Sequence, residues 1–287
     1  MPSKAQALYR RRRKKCRPHK ILENAELFAL VKKLFLGGQW SPEQIAARLK
    51  LEGYPIQLSY KTIYRAIYAG MFDPPEQRRS EGNRGAIRKL RHRGKPRRPK
   101  GYVSNRGKIP ISYELSERPV AANERSRFGD WEADTIVGYN HKSGLLTLVD
   151  RKSRFLRAAP LSRLGSKEVK TAMIEALRGQ PLHSITPDRG REFQLHGNVT
   201  TALGVKFYFP PPHQPWQRGT NENTNGLLRE YFPKGYDFSK LSDEDVQAVV
   251  DQLNHRPRKC LGYRTPAEVY FSTMLHLDCT FARPKRK

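Results

Sequence analysis

The sequence predicts an α/β domain joined to a small all-α domain. Three observations predict it. Three short amphipathic helices end before Gly70, an Arg- and Lys-rich stretch without apolar periodicity follows, and beyond Phe128 three strand-like segments precede an alternation of helix and strand. At 287 residues the chain has room for about two domains, each with a real core.

Residues 1–20, with Arg11-Arg12-Arg13-Lys14-Lys15, hold too few apolar side chains to fold alone and read as a flexible basic arm. From Glu23 to Phe35, Leu27, Leu30, Val31 and Leu34 recur at helical spacing, and Gly37-Gly38 provides a stop. A second helix begins at Ser41, where Ser-Pro-Glu-Gln supplies an N-cap, a proline at the first helical position and a capping-box glutamine; Ile45, Ala46 and Leu49 form its buried stripe. Ser59 caps a third helix to about Tyr68, with Ile63, Ala66 and Ile67 inward, Gly70 ending it, and Lys61, Arg65 and Tyr68 on the other face. Three short helices with a cationic last one read as a helix-turn-helix over 21–72, in which Lys61, Arg65 and Tyr68 would meet DNA. The connection before the third helix is longer than the usual tight turn. A basic linker follows over 73–120: between 77 and 108 Arg and Lys are interleaved with Gly and Pro, which suits tracking along DNA and not a packed core.

The remaining segment, 121–287, holds strands at Trp131–Gly138, Leu145–Asp150 and Arg154–Leu161, a helix at Ser166–Leu177, strands at His183–Pro187 and Val205–Phe209, and helices at Asn221–Tyr231 and Asp243–Asn254. A capping box at Thr265 to Glu268 starts a last helix. A three-strand meander followed by alternating helix and strand is the order of a ribonuclease-H-like core, a mixed five-stranded sheet with flanking helices.

The formal charge of +28, from 55 Lys and Arg against 27 Asp and Glu, requires a polyanionic partner. A membrane surface is the competing polyanion. No long apolar run is present, however, and the N-terminus is too basic and polar for a secretory signal. Cys16, Cys260 and Cys279 are odd in number and far apart, so neither a disulfide framework nor a cysteine zinc site is expected, and a reducing cytoplasm fits.

Three acids stand at strand ends or a helix start. Asp130, Glu132 and Asp134 project to one face of the first strand, and alternation alone does not choose among them. Asp188 follows the apolar stretch of the fourth strand, with Gly190 just beyond it allowing a sharp turn. Glu222 opens a helix on which Asn225 and Arg229 share its face, while Leu227, Leu228 and Tyr231 face the core. Converging carboxylates suit phosphodiester chemistry, because two divalent metals roughly 3.5–4 Å apart activate a nucleophile and neutralise the leaving oxygen. The proline-rich loop from Pro210 to Gly219 leads directly into Glu222, as a mobile active-site loop would.

Other residues have plainer readings. Asp150 reads as a hydrogen-bond acceptor at a hairpin. Trp216 reads as an anchor for its loop more than as a stacking platform. His213 reads equally as a loop-packing residue or as a group near the chemistry. Glu132 and Glu192 are secondary candidates beside the metals.

The chain resembles the transposases of bacterial insertion sequences, specifically insertion-sequence family thirty, over roughly residues 40–275. The resemblance rests on Trp-Ser-Pro-Glu-Gln-Ile-Ala at 40–46, Ser-Glu-Arg-Pro at 116–119, Asp-Trp-Glu-Ala-Asp at 130–134, Val-Asp-Arg-Lys-Ser-Arg at 149–154, Asp-Arg-Gly at 188–190, Pro-Trp-Gln-Arg-Gly-Thr-Asn-Glu-Asn at 215–223 and Asn-His-Arg-Pro-Arg-Lys at 254–259. It implies a catalytic, metal-holding triad of Asp134, Asp188 and Glu222, with 33 residues between the last two, and it selects Asp134 over Asp130. It further implies that Arg229 holds substrate DNA. The expected activity is binding of terminal inverted repeats in double-stranded DNA, cleavage at the element ends and joining of the 3′-hydroxyl to target DNA. Two Mg²⁺ ions, with Mn²⁺ as a substitute, would serve a homodimer or higher oligomer in the bacterial cytoplasm, at the nucleoid. Family members commonly carry a further helix-turn-helix upstream of the basic arm; none lies within these 287 residues, so end recognition is expected to be incomplete. Two rivals remain: a catalytically inactive DNA-binding regulator or remnant, and a nuclease acting on RNA in hybrids, against which the helix-turn-helix and basic linker speak.

Overall fold

The computed structural model describes residues 4–15, 21–74, 86, 89–90, 109–139, 142–212 and 214–274. The chain forms two compact units, Met1–Arg93 and Gly94–Lys287.

In the first unit the expected flexible arm is instead a helix, α1 (Lys4–Lys15), whose described side chains are exposed. The helix expected over 23–35 begins two residues later as α2 (Ala25–Lys32), where Asn24 Oδ1 accepts the Leu27 N–H at 2.8 Å, and it ends in a widened π-turn over Lys33–Gly37. Helix α3 (Pro42–Leu51) carries the expected capping box between Ser41 and Gln44, and α4 (Tyr60–Tyr68) starts at Ser59. Leu27, Val31, Leu34, Phe35, Ile45, Leu49, Ile63, Ile67 and Phe72 are buried together. Arg48, not Ala46, completes the buried face of α3; its charge is met by Glu52 one turn on, at 2.5 Å.

The second unit is one mixed sheet with helices on both faces. Its strands are β1 (Tyr113–Glu114), β2 (Asp130–Val137), β3 (Gly144–Asp150), β4 (Leu156–Leu161), β5 (Ser184–Thr186) and β6 (Lys206–Phe209), in the spatial order β1-β6-β5-β2-β3-β4. Strands β2, β3 and β4 form an antiparallel meander, whereas β5 joins β2, and β6 joins β5, in parallel. That arrangement is the ribonuclease-H-like core. It has six strands and not five because the two-residue β1 adds to β6 in parallel; so short an element leaves no periodicity to read.

The helices are α5 (Val120–Glu124), α6 (Ser166–Leu177), α7 (His196–Leu203), α8 (Gly219–Tyr231), α9 (Asp243–Asn254) and α10 (Pro266–Tyr270). Alternation divides the core. Trp131, Ala133, Leu146 and Leu148 pack on Val169, Met173 and Leu177 of α6, while Ile136, Leu145 and Val149 pack on Leu227 and Leu228 of α8 and Val246, Val250 and Leu253 of α9. The even-numbered positions of β2, including its three acids, therefore face α8.

Candidate active site

Strand register brings the first two acids together. Glu132 lies opposite Thr186 in the parallel β2–β5 pair, and continuing that register by two residues puts Asp134 beside Asp188, just past the end of β5. This is the carboxyl end of neighbouring parallel strands at the point where the strand order reverses, the position where open α/β sheets place their sites. A single guanidinium faces both acids: Arg218 Nη1 lies 3.6 Å from Asp134 Oδ2 and Arg218 Nη2 3.8 Å from Asp188 Oδ2. Arg218 belongs to the 3-10 turn Pro215–Arg218 that leads into α8, so the proline-rich loop delivers the counterion of the pair.

Each carboxylate is also held by hydrogen bonds. Asp134 Oδ1 accepts the Thr135 N–H at 2.9 Å, and its Oδ2 accepts from Asn225 Nδ2 at 3.0 Å. Asp188 Oδ1 accepts the Gly190 N–H at 2.8 Å, closing the turn after β5. Glu192 completes the neighbourhood: its Oε1 accepts from Thr135 Oγ1 at 2.9 Å, and its other oxygen lies against the Gly190 backbone beside Asp188. Burial pushes the Asp134 carboxyl up to about 6, Arg218 opposes that rise, and Asp188 and Glu192 add to it.

The other two acids of β2 are already committed. Asp130 is fully buried against Arg127 and accepts from Ser184 Oγ at 2.6 Å. Glu132, equally buried, pairs with Arg151, and its Oε2 accepts the Asn221 N–H at 2.9 Å, which fixes the first turn of α8. Thr147, opposite Asp134 on β3, hydrogen-bonds Asn221 Oδ1 at 3.1 Å and Asn225 Oδ1 at 3.0 Å. The polar face of α8 is thus tied to β2 and β3 from Asn221 to Asn225.

Glu222 lies in that first turn, one helical turn before Asn225, and is exposed. The structure brings Asp134 and Asp188 together and leaves Glu222 exposed in the first turn of α8; among the described residues no group of three or more His, Cys, Asp or Glu is assembled for a metal ion. Arg229, two turns beyond Glu222, donates to the Val137 carbonyl at 2.9 Å and the Pro233 carbonyl at 3.4 Å, so its guanidinium clips α8 to the end of β2. In the first unit, Lys61, Arg65 and Tyr68 are all exposed on α4, and Tyr68 stacks on Tyr64.

Asp150 is the turn acceptor the sequence suggests, receiving the Lys152 and Ser153 N–H groups, the Ser153 hydroxyl and the Gly129 N–H. Trp216 corrects its reading: at 67% exposure it is not a buried anchor for its loop. His213 lies outside the described residues. Arg218 and Thr135 were not anticipated; a long side chain in a proline-rich loop gives no sequence signal of its direction.

No family model matches the chain. The chain is 39% identical, over 276 residues, to the transposase for insertion sequence element IS4351 of Bacteroides fragilis, covering 95% of this chain and 81% of that relative. It is 38% identical over 239 residues to transposase InsI for insertion sequence element IS30A of Escherichia coli, covering 80% and 61%. Among solved structures, the catalytic core domain of BIV integrase is similar, at 19% identity and a TM-score of 0.41, covering 50% of this chain and 93% of that one. Identity of this degree across nearly the whole chain, on a ribonuclease-H-like sheet with paired acids at its switch point, makes the protein a member of the IS30 family of insertion-sequence transposases.

Proposed function

We propose that this transposase binds the terminal inverted repeats of its element through residues 21–72, with Lys61, Arg65 and Tyr68 on the reading face, and through the basic stretch 73–120. It cuts DNA at the element ends and joins the freed 3′-hydroxyl to target DNA. Asp134, Asp188 and Glu222 are the residues that would hold two Mg²⁺ ions, with Mn²⁺ as a substitute. The donor set fits that role. All three offer hard oxygen ligands, and two of them already face one shared cationic group, Arg218. When bound, such ions activate the attacking water or hydroxyl and neutralise the leaving oxygen.

The chain's own residues prepare this chemistry. Asn225 and the Thr135 N–H orient the two oxygens of Asp134, and the Gly190 N–H orients Asp188. Glu132 fixes the turn that carries Glu222. Arg218 offsets the repulsion between the paired carboxylates, and Arg229 is the residue on α8 assigned to hold DNA. Two element ends must meet for transposition, so a dimer or higher assembly acts on DNA.

The observation that carries this reading is the juxtaposition of Asp134 and Asp188 before one guanidinium. Strand transfer on a plasmid substrate with Mg²⁺ tests it. Asp188→Ala is expected to lower product about a thousandfold, since a metal ligand set contributes several kcal/mol to the barrier. Equal product from wild type and variant would overturn the enzyme reading. The rival, a protein that covers element ends without cutting them, is favoured by one observation: Glu222 is exposed and no third acid joins the pair among the described residues. It predicts end binding by both proteins and no product from either.

A further inference from the structure

A cavity of about 260 Å³ opens beside the start of α8, lined by Arg125, Arg154, Thr220, Asn223, Arg258 and Cys260 among others, with no acid in its wall among the described residues. Its residues come from separate stretches of chain. Arg125 caps the end of α5, Arg154 lies in the β3–β4 turn, Thr220 is in the first turn of α8, and Arg258 precedes the 3-10 turn Lys259–Leu261. Two motifs that the triad leaves unused, Val-Asp-Arg-Lys-Ser-Arg and Asn-His-Arg-Pro-Arg-Lys, each send one arginine here, and the stretch that carries Glu222 adds Thr220 and Asn223.

Three features of the cavity point to an anion. Arg125 Nη2, at 3.4 Å, and Arg154 Nη1 both donate to one neutral acceptor, Thr220 Oγ1, so two guanidinium groups are held close without a negative charge between them. Among the described residues neither forms an ion pair, and Arg154 Nε is buried without a hydrogen-bond partner. Arg125 and Arg154 also adopt φ of 59° and 64°, the left-handed region that favours glycine. Keeping arginine at two such positions in one cavity is what a functional requirement on the side chain would look like.

We propose that this cavity grips a backbone phosphate of substrate DNA, distinct from the phosphate at the acid pair. The inference rests on the reading of DNA as substrate. Residues 220, 223 and 224 lie on the flank of α8 opposite 222 and 225, so the two sites sit on either side of one helix. The planar forks of Arg125 and Arg154 match phosphate oxygens in pairs, and the start of α8 adds a favourable dipole.

The test uses the full chain in EDTA with a fluorescent duplex, comparing Arg125→Gly and Arg154→Gly with Arg178→Gln, which removes an equal charge from an exposed site at the end of α6. Each glycine variant should bind DNA several-fold more weakly and lower the slope of log affinity against log salt by about one. Its melting temperature should stay level or rise, because glycine relaxes the left-handed backbone. Affinity and slope equal to wild type, or a loss no larger than that of Arg178→Gln, would overturn the proposal. So would glycine variants that lose inorganic phosphate binding by calorimetry yet hold DNA as wild type does. Wild type that binds DNA through these arginines but cuts none with Mg²⁺ would remove the enzymatic reading and leave the cavity standing.

Discussion

The two flanks of α8 carry opposite charge. Toward the sheet, Asn225 faces Asp134, Asn221 faces Glu132 and Thr147, and one arginine, Arg218, lies before both Asp134 and Asp188, with Glu192 nearby. On the other flank, Thr220 faces Arg125 and Arg154 with no acid lining the space. In a chain of net charge +28 the acidic flank is the exception, and it persists because strand ends and backbone N–H groups fix each carboxylate. The proposed metal site would repel phosphate until a cation filled it, whereas the proposed arginine site would attract phosphate unaided.

If α8 is the common wall, detaching its acidic flank should have the largest effect. Glu132 links that flank to the sheet by accepting the Asn221 N–H and neutralising Arg151, which is itself 4% exposed. Glu132→Ala leaves a buried guanidinium and a helix N–H without their acceptor, at a cost of about 3–5 kcal/mol. Chemical denaturation should show this as a lower midpoint with an unchanged slope. A cost below about 1 kcal/mol would mean that the Glu132 link adds little to what Leu227, Leu228, Asn225 and Arg229 already supply.

These dependencies explain how much could be read from sequence. The meander, β5, β6 and the long helices were legible because burial on both sheet faces leaves long apolar runs, as in β3, where every residue is buried. Helix α7 was not legible: its buried residues are only His196 and Val199, too few for a stripe. Within β2, alternation put Asp130, Glu132 and Asp134 on one face and could go no further. What separates them is the partner each meets, Arg127 and Ser184, Arg151 and Asn221, or Asp188, and only the β2–β5 register and side-chain packing supply those. The arginine flank was hidden for the same reason: its residues, from Arg125 to Arg258, span 133 positions, in segments that individually look like turns.

A gentler change tests whether the acidic flank depends on fine placement. Gly190 has φ −72° and ψ 147°, a conformation open to any residue, so Gly190→Ala carries no backbone strain. The added Cβ would meet Asp188 Oδ1 at 2.7 Å and the Glu192 carboxylate, and the side chains must shift. Displacement of Asp188, a proposed metal ligand, by about 1 Å is expected to lower strand transfer roughly a hundredfold, with the melting temperature nearly unchanged. Full activity would show that the orientation of Asp188 is not set by its turn.

The smallest effect concerns stability, and it separates the flanks by pH. The Asp134 carboxyl is raised from an ordinary 3.8 to about 6, burial being the main cause, so the folded chain favours its protonated form. That stabilisation is complete below pH 3.8 and disappears as pH rises through about 6. Asp134→Asn removes the ionisation, so its stability relative to wild type should increase between pH 4 and pH 8, in EDTA, by on the order of 1 to 2 kcal/mol. The full shift is not realised because the side chain is 22% exposed to screening water. Arg154→Gly should show no such trend, since a guanidinium does not titrate in this range. Parallel pH profiles for the two variants would mean that the acidic flank bears no charge strain and that the contrast across α8 is one of composition alone.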